Sequence, residues 1–208
     1  MQIPKSLKKC NIVNLSVNDL IAFELRVKKF YEDKKIRHPI HLSGNNEKHL
    51  IEIFSYINKN DYVFSNWRSH YHALLHGVNP SYIIDLIIKG KSMSLSSPKN
   101  NFYSSSIVGG CIPIALGTAM ALKKKKSKKK VWCFIGDMTF ETGTFHESYK
   151  YSRFNKLNLN FIIEDNGLST NTPTKLTWGG RSKIPKDVIY YQYKRKYPHH
   201  GVGKWILF

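Results

Sequence analysis

Acidic residues are scarce in this 208-residue chain: 14 Asp and Glu stand against 33 Lys and Arg, a formal charge of +19. An excess of that size raises nucleic acid as a partner. Most of it is lysine, however, and lysine, asparagine and isoleucine are plentiful together, as a coding bias would make them. The densest basic run, Lys123 to Lys130 broken only by Ser127, joins an apolar helical segment to an apolar strand pattern. Cations there suit the negative end of a helix and a solvated connection. No aromatic residue interleaves with them, as a single-strand-binding groove requires. Cysteine is nearly absent. Cys10, Cys111 and Cys133 are too few and too scattered for a disulfide framework or a zinc site, and the last two sit in the apolar context of buried thiols. No apolar run has membrane-spanning length, and Met1-Gln2-Ile3-Pro4-Lys5 has no apolar signal core. These absences predict a soluble, cytoplasmic protein without a membrane or nucleic-acid partner. The length suits one well-buried domain, residues 1–208, with roughly the first 15 residues flexible.

What is present reads as an α/β pattern. Ser16 and Asp19 have capping-box spacing, and Leu20, Phe23, Val27, Phe30 and Tyr31 form one apolar face, predicting a helix from about Ser16 to Lys35. After the polar turn His41–Asn46, a second helix carries Leu50, Ile53, Phe54 and Ile57. A short strand, Tyr62-Val63-Phe64-Ser65, leads into Asn66-Trp67-Arg68-Ser69-His70. Asn79-Pro80 starts a helix that ends at Gly90. Lys91 to Ser106, rich in Ser and Asn, reads as a loop that orders on binding. Gly109 to Leu122 is apolar and small throughout, the mark of a buried helix whose glycine-rich start could approach a phosphate.

The chemistry concentrates further on. Val131–Ile135 and Leu159–Ile163 are apolar runs separated by a helical segment from about Glu141 to Phe154. Each run delivers a polar residue just past its end, Asp137 and Asn166. Strand, helix, strand makes a parallel unit, and ligands of open α/β sheets bind at the carboxyl edge where these two residues would sit. An Asp and an Asn facing one crevice could supply part of the oxygen octahedron of Mg²⁺; equally, both could merely cap strand-to-helix turns. His72 and His76, at helical spacing beside His70, could suggest a metal pair. The absence of an acidic third ligand nearby in sequence favours a solvated or structural role.

From about Asp19 to Asn171 the chain resembles the alpha subunits of thiamine-diphosphate-dependent 2-oxo-acid dehydrogenases of the pyruvate dehydrogenase type. The resemblance runs through Phe23-Glu24-Leu25-Arg26, Ile36-Arg37-His38-Pro39-Ile40-His41-Leu42, Trp67-Arg68-Ser69-His70, Gly90-Lys91-Ser92-Met93 and Asn101-Phe102-Tyr103 to Ile107-Val108-Gly109. It continues through Gly136-Asp137, Phe145-His146-Glu147-Ser148-Tyr149 and Glu164-Asp165-Asn166. It implies a thiamine-diphosphate-binding fold, a parallel sheet with helices on both faces. It also implies that Asp137, Asn166 and the Leu168 carbonyl hold Mg²⁺, and that Trp67 and Arg68 meet the diphosphate, where the planar guanidinium fork suits phosphate oxygens. Met138 and Thr139 would follow along the diphosphate, and Ser106 and Val108 would touch the pyrimidine. His41 matches a histidine near the thiazolium, and either His199 or His200 would stand over the cofactor as its second histidine.

The resemblance further implies a 2-oxo acid substrate and a separately encoded beta subunit. That partner would carry the pyrimidine domain and the glutamate that activates the cofactor, in an alpha2beta2 heterotetramer. The departures are specific. Met138 replaces a glycine, Asp165-Asn166 replaces Asn-Asn, and Ser106 replaces a common glycine. A long stretch before Ile189 is reduced to a short connection, while the return of a strand and His-Gly loop suggests a minimised subunit. Transketolase-like transfer on sugar phosphates, a non-catalytic scaffold and a nucleic-acid-binding protein are the other readings.

Overall fold

Ser16 starts the first helix as its sequence predicts. Its hydroxyl accepts from the Asp19 backbone N–H at 3.2 Å, and the Asp19 carboxylate accepts from the Ser16 N–H at 2.8 Å. The computed structural model describes residues 1–207. Along it run α1 (Val17–Glu32), α2 (Glu47–Phe54), β1 (Tyr62–Ser65), α3 (His70–Leu75) and α4 (Pro80–Ile88). Next come β2 (Ser96–Ser97), β3 (Phe102–Ser104), α5 (Cys111–Lys124), β4 (Val131–Gly136), α6 (Asp137–Phe140) and α7 (Gly143–Phe154). The chain continues through β5 (Leu159–Asp165), β6 (Leu168–Ser169), β7 (Thr172–Pro173), α8 (Thr174–Trp178) and β8 (Ile189–Gln192). Asn79 caps α4 through two backbone N–H groups, with Pro80 in the first turn.

Six strands form one sheet in the order β2-β3-β1-β4-β5-β8. All neighbours are parallel except β2 and β3. Alternation along the central strands splits the core in two. Trp132 and Phe134 pack with Val63, Ile162 and Tyr191 toward α1–α4. Val131, Cys133 and Ile135 pack with Phe64, Phe161 and Ile163 toward α5 and α7. Both faces of the sheet are therefore covered, which is what near-continuous apolar runs on parallel strands require.

Three expectations change. The stretch 91–106 is not a loop awaiting a ligand: β3 pairs in parallel with β1, Val63 opposite Phe102, and Phe102 is fully buried. Its polar neighbours hid a single-residue anchor. The α5 helix is not buried all round, because Ile114 and Met120 face outward while Cys111, Ile112, Ala115, Ala119 and Leu122 face the sheet. The segment ahead of α1, expected to be flexible, is pinned. Gln2 exchanges backbone hydrogen bonds with Tyr190 at 2.7 and 3.1 Å, and its side chain donates to Pro185 and Val188 carbonyls at 2.8 Å.

Candidate active site

The connections of β1 and β4 leave in opposite directions, β1 toward β3 and β4 toward β5. Their carboxyl ends part at that point, which is where open α/β sheets bind ligands. A narrow cleft opens there. Its walls come from four strand ends: Asn66, Trp67 and Arg68 after β1, Gly136, Met138 and Thr139 at β4, Glu164, Asn166 and Leu168 at β5, and Tyr193 and Arg195 after β8. His199 closes one side.

Asp137 is the first residue of α6, buried, with Gly136 turning the chain ahead of it. Thr174, the first residue of α8, donates its hydroxyl to Asp137 Oδ2, while Oδ1 is buried without a hydrogen-bond partner. Burial raises the Asp137 pKa; the Thr174 hydroxyl works against this, the nearby Asp165 adds to it, and the Asn166 backbone N–H lowers it again. Asn166 Oδ1 accepts from the Leu168 N–H at 3.0 Å and keeps a second lone pair. An orphaned carboxylate oxygen, an amide oxygen and a neighbouring carbonyl are the hard donors that Mg²⁺ takes. Among the described residues there is no group of three or more His, Cys, Asp or Glu suited to a softer metal.

Arg68 is buried, and its guanidinium donates to the Leu42 carbonyl and, at 3.3 Å, to the His199 carbonyl. Among the described residues it has no carboxylate partner, although burial works against its charge. A buried cation satisfied only by carbonyls is suited to receive an anion.

His41, Trp67 and His199 meet beside it. Ring centroids of His41 and His199 are 4.7 Å apart, and Trp67 lies 6.2 Å from one and 6.1 Å from the other. Both histidines leave Nδ1 buried without a partner. Burial, Arg68 and the neighbouring histidines push the His41 pKa down to about 3, so it is a neutral imidazole at pH 7. The pairing is enforced by backbone: the Gly201 N–H donates to the Ile40 carbonyl at 2.8 Å, and His41 bridges Gly201 in parallel. Of the two candidate histidines after β8, His199 lines the cleft and His200 is exposed.

Met138 and Thr139 reach the cleft, and Trp178 Nε1 sits 2.9 Å from the Met138 sulfur. Ser106 and Val108 do not line it. They stand exposed on the loop before α5, while their neighbours Ile107 and Gly109 line an adjoining recess with Trp67 and Thr139.

Sequence reasoning missed what braces these groups. Glu164 accepts from His72 Nε2 at 3.1 Å, the Tyr191 hydroxyl at 2.5 Å and Asn66 Nδ2 at 3.1 Å. Burial works to raise its pKa, but His72, Tyr191 and Asn66 together hold it below the ordinary carboxylate range. Asn66 Oδ1 in turn accepts from the Arg68 N–H at 2.8 Å, which fixes the turn that presents Trp67 and Arg68. His70 is held between Glu24 at 3.1 Å and Ser92 at 2.9 Å. His72 and His76 are buried and structural, not solvated, and the acid partner of His72 comes from a distant strand. A glutamate inside the apolar run that ends in Asp165 was the available signal, since a charge there needs a partner.

The family model for the dehydrogenase E1 component matches residues 17–182. The pyruvate dehydrogenase E1 component subunit alpha of Rickettsia prowazekii is 29% identical over 163 residues, covering 74% of this chain and 50% of the relative. The subunit alpha of the acetoin:2,6-dichlorophenolindophenol oxidoreductase of Bacillus subtilis is 27% identical over 165 residues, covering 74% and 50%. The Porphyra purpurea pyruvate dehydrogenase E1 alpha subunit is 27% identical over 197 residues, covering 80% and 57%. The chain spans about half the length of the curated relatives it matches. A mostly parallel sheet with its cleft at the switch point, and a family match across most of its length, establish that this chain belongs to the dehydrogenase E1 component family.

Proposed function

We propose that the chain is an alpha-type subunit of a thiamine-diphosphate- and Mg²⁺-dependent enzyme that cleaves the C–C bond beside the carbonyl of a 2-oxo acid and passes on the acyl or aldehyde unit. The observation that carries this reading is the unpartnered Asp137 Oδ1, buried beside Asn166 at the sheet edge that also presents Arg68. Asp137, Asn166 and the Leu168 carbonyl are the residues that would hold Mg²⁺. Arg68, with Trp67, Met138 and Thr139 along the walls, would hold the diphosphate. Thiamine diphosphate, when bound, supplies the carbon that adds to the substrate carbonyl and the ring that accepts the electron pair released on cleavage.

The protein's own part is placement, water exclusion and proton control. Thr174 holds one Asp137 oxygen, and the other, buried without a partner, is the one that would bind the cation. His41, neutral at pH 7, acts through a ring N–H as a hydrogen-bond donor to a developing oxyanion, not as an imidazolium acid. His199 faces it, its pKa lowered by burial and then by Arg68. The family relationship supports a beta subunit that completes the site with its pyrimidine domain and glutamate, two of each, working in the cytoplasm on a small 2-oxo substrate.

Calorimetry of thiamine diphosphate binding, with the chain and its beta subunit, tests the reading. Binding is expected only with Mg²⁺ present and is lost with chelator and in Asp137→Ala or Asn166→Ala. Equal affinity with and without Mg²⁺ would overturn the assignment.

A further inference from the structure

The cleft contains one more cation than the reading above uses. Arg195, just beyond β8, lines the same cleft as Arg68 and His199. Its guanidinium donates to the Thr170 carbonyl at 2.9 Å, and no carboxylate pairs with it among the described residues. Glu164, the carboxylate on the cleft wall, is already saturated by His72, Tyr191 and Asn66. Two guanidiniums therefore line one crevice, each hydrogen-bonded to carbonyl oxygens and neither in a carboxylate ion pair among the described residues. Arg195 also sits close enough to His199 to help depress its pKa, behind burial and Arg68. It differs from Arg68 in setting: Arg68 is buried at the back of the turn after β1, whereas Arg195 is half-exposed beside the tip of the β6–β7 hairpin.

We infer that Arg195 is a specificity-determining residue that binds an anionic group of the substrate, a carboxylate or a phosphate, on the cleft wall beside His199 and the β6–β7 hairpin tip. The inference rests on the cofactor assignment above, in which Arg68 takes the diphosphate and leaves Arg195 for a second anion. Its position near His199 places that anion beside the reacting end. The contact with Thr170 keeps the fork in place beforehand, so less side-chain entropy is lost on binding. Thr170 itself has a left-handed backbone, φ +53°, at the hairpin tip, and its carbonyl is the one that Arg195 holds.

Saturation-transfer NMR on the chain assembled with its beta subunit and loaded with thiamine diphosphate and Mg²⁺ tests this with four probes: pyruvate, its uncharged methyl ester, glycerol 3-phosphate and glycerol. At least one anion is expected to bind tenfold or more tightly than its neutral counterpart. Arg195→Gln should remove that difference, while Arg195→Lys retains part of it and thiamine diphosphate affinity stays within about threefold. Preference for pyruvate assigns the group to a 2-oxo acid carboxylate; preference for glycerol 3-phosphate assigns it to a phosphorylated substrate. No preference in the wild-type chain, no change in Arg195→Gln, or an equal loss of thiamine diphosphate in that variant overturns the inference. Should thiamine diphosphate fail to bind the wild-type complex, the cofactor assignment falls. The four probes, run without it, then decide Arg195 separately.

Discussion

A single side chain decides whether the cleft holds an anion by shape or by charge alone. Arg68 is buried and meets carbonyls at two places, so its fork is fixed before any ligand arrives. Arg68→Lys is expected to weaken thiamine diphosphate binding by tenfold or more, because a point charge cannot reproduce two parallel hydrogen bonds. Lys124→Gln, on the exposed basic run, should change it less than twofold; equal losses in calorimetry would favour diffuse electrostatics. His41 gives a second test. Its folded pKa of about 3 lies below the ordinary histidine value, so the unfolded chain takes up a proton that the folded chain refuses. Stability from this group is full above about pH 6.5 and declines as pH falls toward 3. Between pH 7 and pH 5 the wild type should lose about 2 kcal/mol more than His41→Gln in denaturant titrations. The positions of Asp137 and Asn166 just past β4 and β5 were legible because each follows an apolar run of its own. Thr174 and Arg195 were not, since their contacts depend on how the hairpin and α8 fold back over the cleft.

At the scale of elements, one buried pair ties α3 to the middle of the sheet. His72 on α3 meets Glu164 on β5, and the same carboxylate orders Asn66 after β1. Removing His72 takes one of three donors from the buried Glu164 carboxylate, a loss that typically costs about 1–3 kcal/mol. His72→Ala should therefore lower unfolding stability by that order, and His72→Leu with Glu164→Met should recover much of it. A double variant no more stable than the single one would show that the hydrogen-bonded pair has a role that packing cannot replace. The Glu164 pKa is depressed, so its contribution is present above the ordinary glutamate value and lost as pH falls through the lower folded value. Sequence periodicity located α1, α4, β1 and β4 closely, because each has a cap or an apolar run of its own. It missed β3, whose place in the sheet rests on Phe102 standing opposite Val63 with its ring near His76, a contact that no local pattern announces.

The whole molecule is cationic, and several large apolar side chains of α5, the loop before it and α7 face outward. Ile107 and Val108 lead from the recess beside Trp67 onto α5, where Ile114 and Met120 face outward, and Phe154 at the end of α7 is 86% exposed. Scattered exposed apolar residues need no explanation, but those on the loop and helix beside the Trp67 recess are where the proposed function would seat another chain. The proposed beta subunit fits that place because it would bring the missing glutamate to the same edge. Its binding is expected to be governed by shape and apolar burial at this patch, with the lysine excess adding a salt-sensitive encounter rate. Ile114→Lys should thus weaken assembly with the beta subunit at least tenfold at constant ionic strength while leaving the chain's own melting temperature nearly unchanged, since Ile114 is 57% exposed. Lys124→Gln should instead slow association mainly at low salt. Analytical ultracentrifugation of the mixed subunits measures the first and stopped-flow association the second. Unchanged assembly in Ile114→Lys would move the interface off α5 and leave its outward face without a role in completing the site.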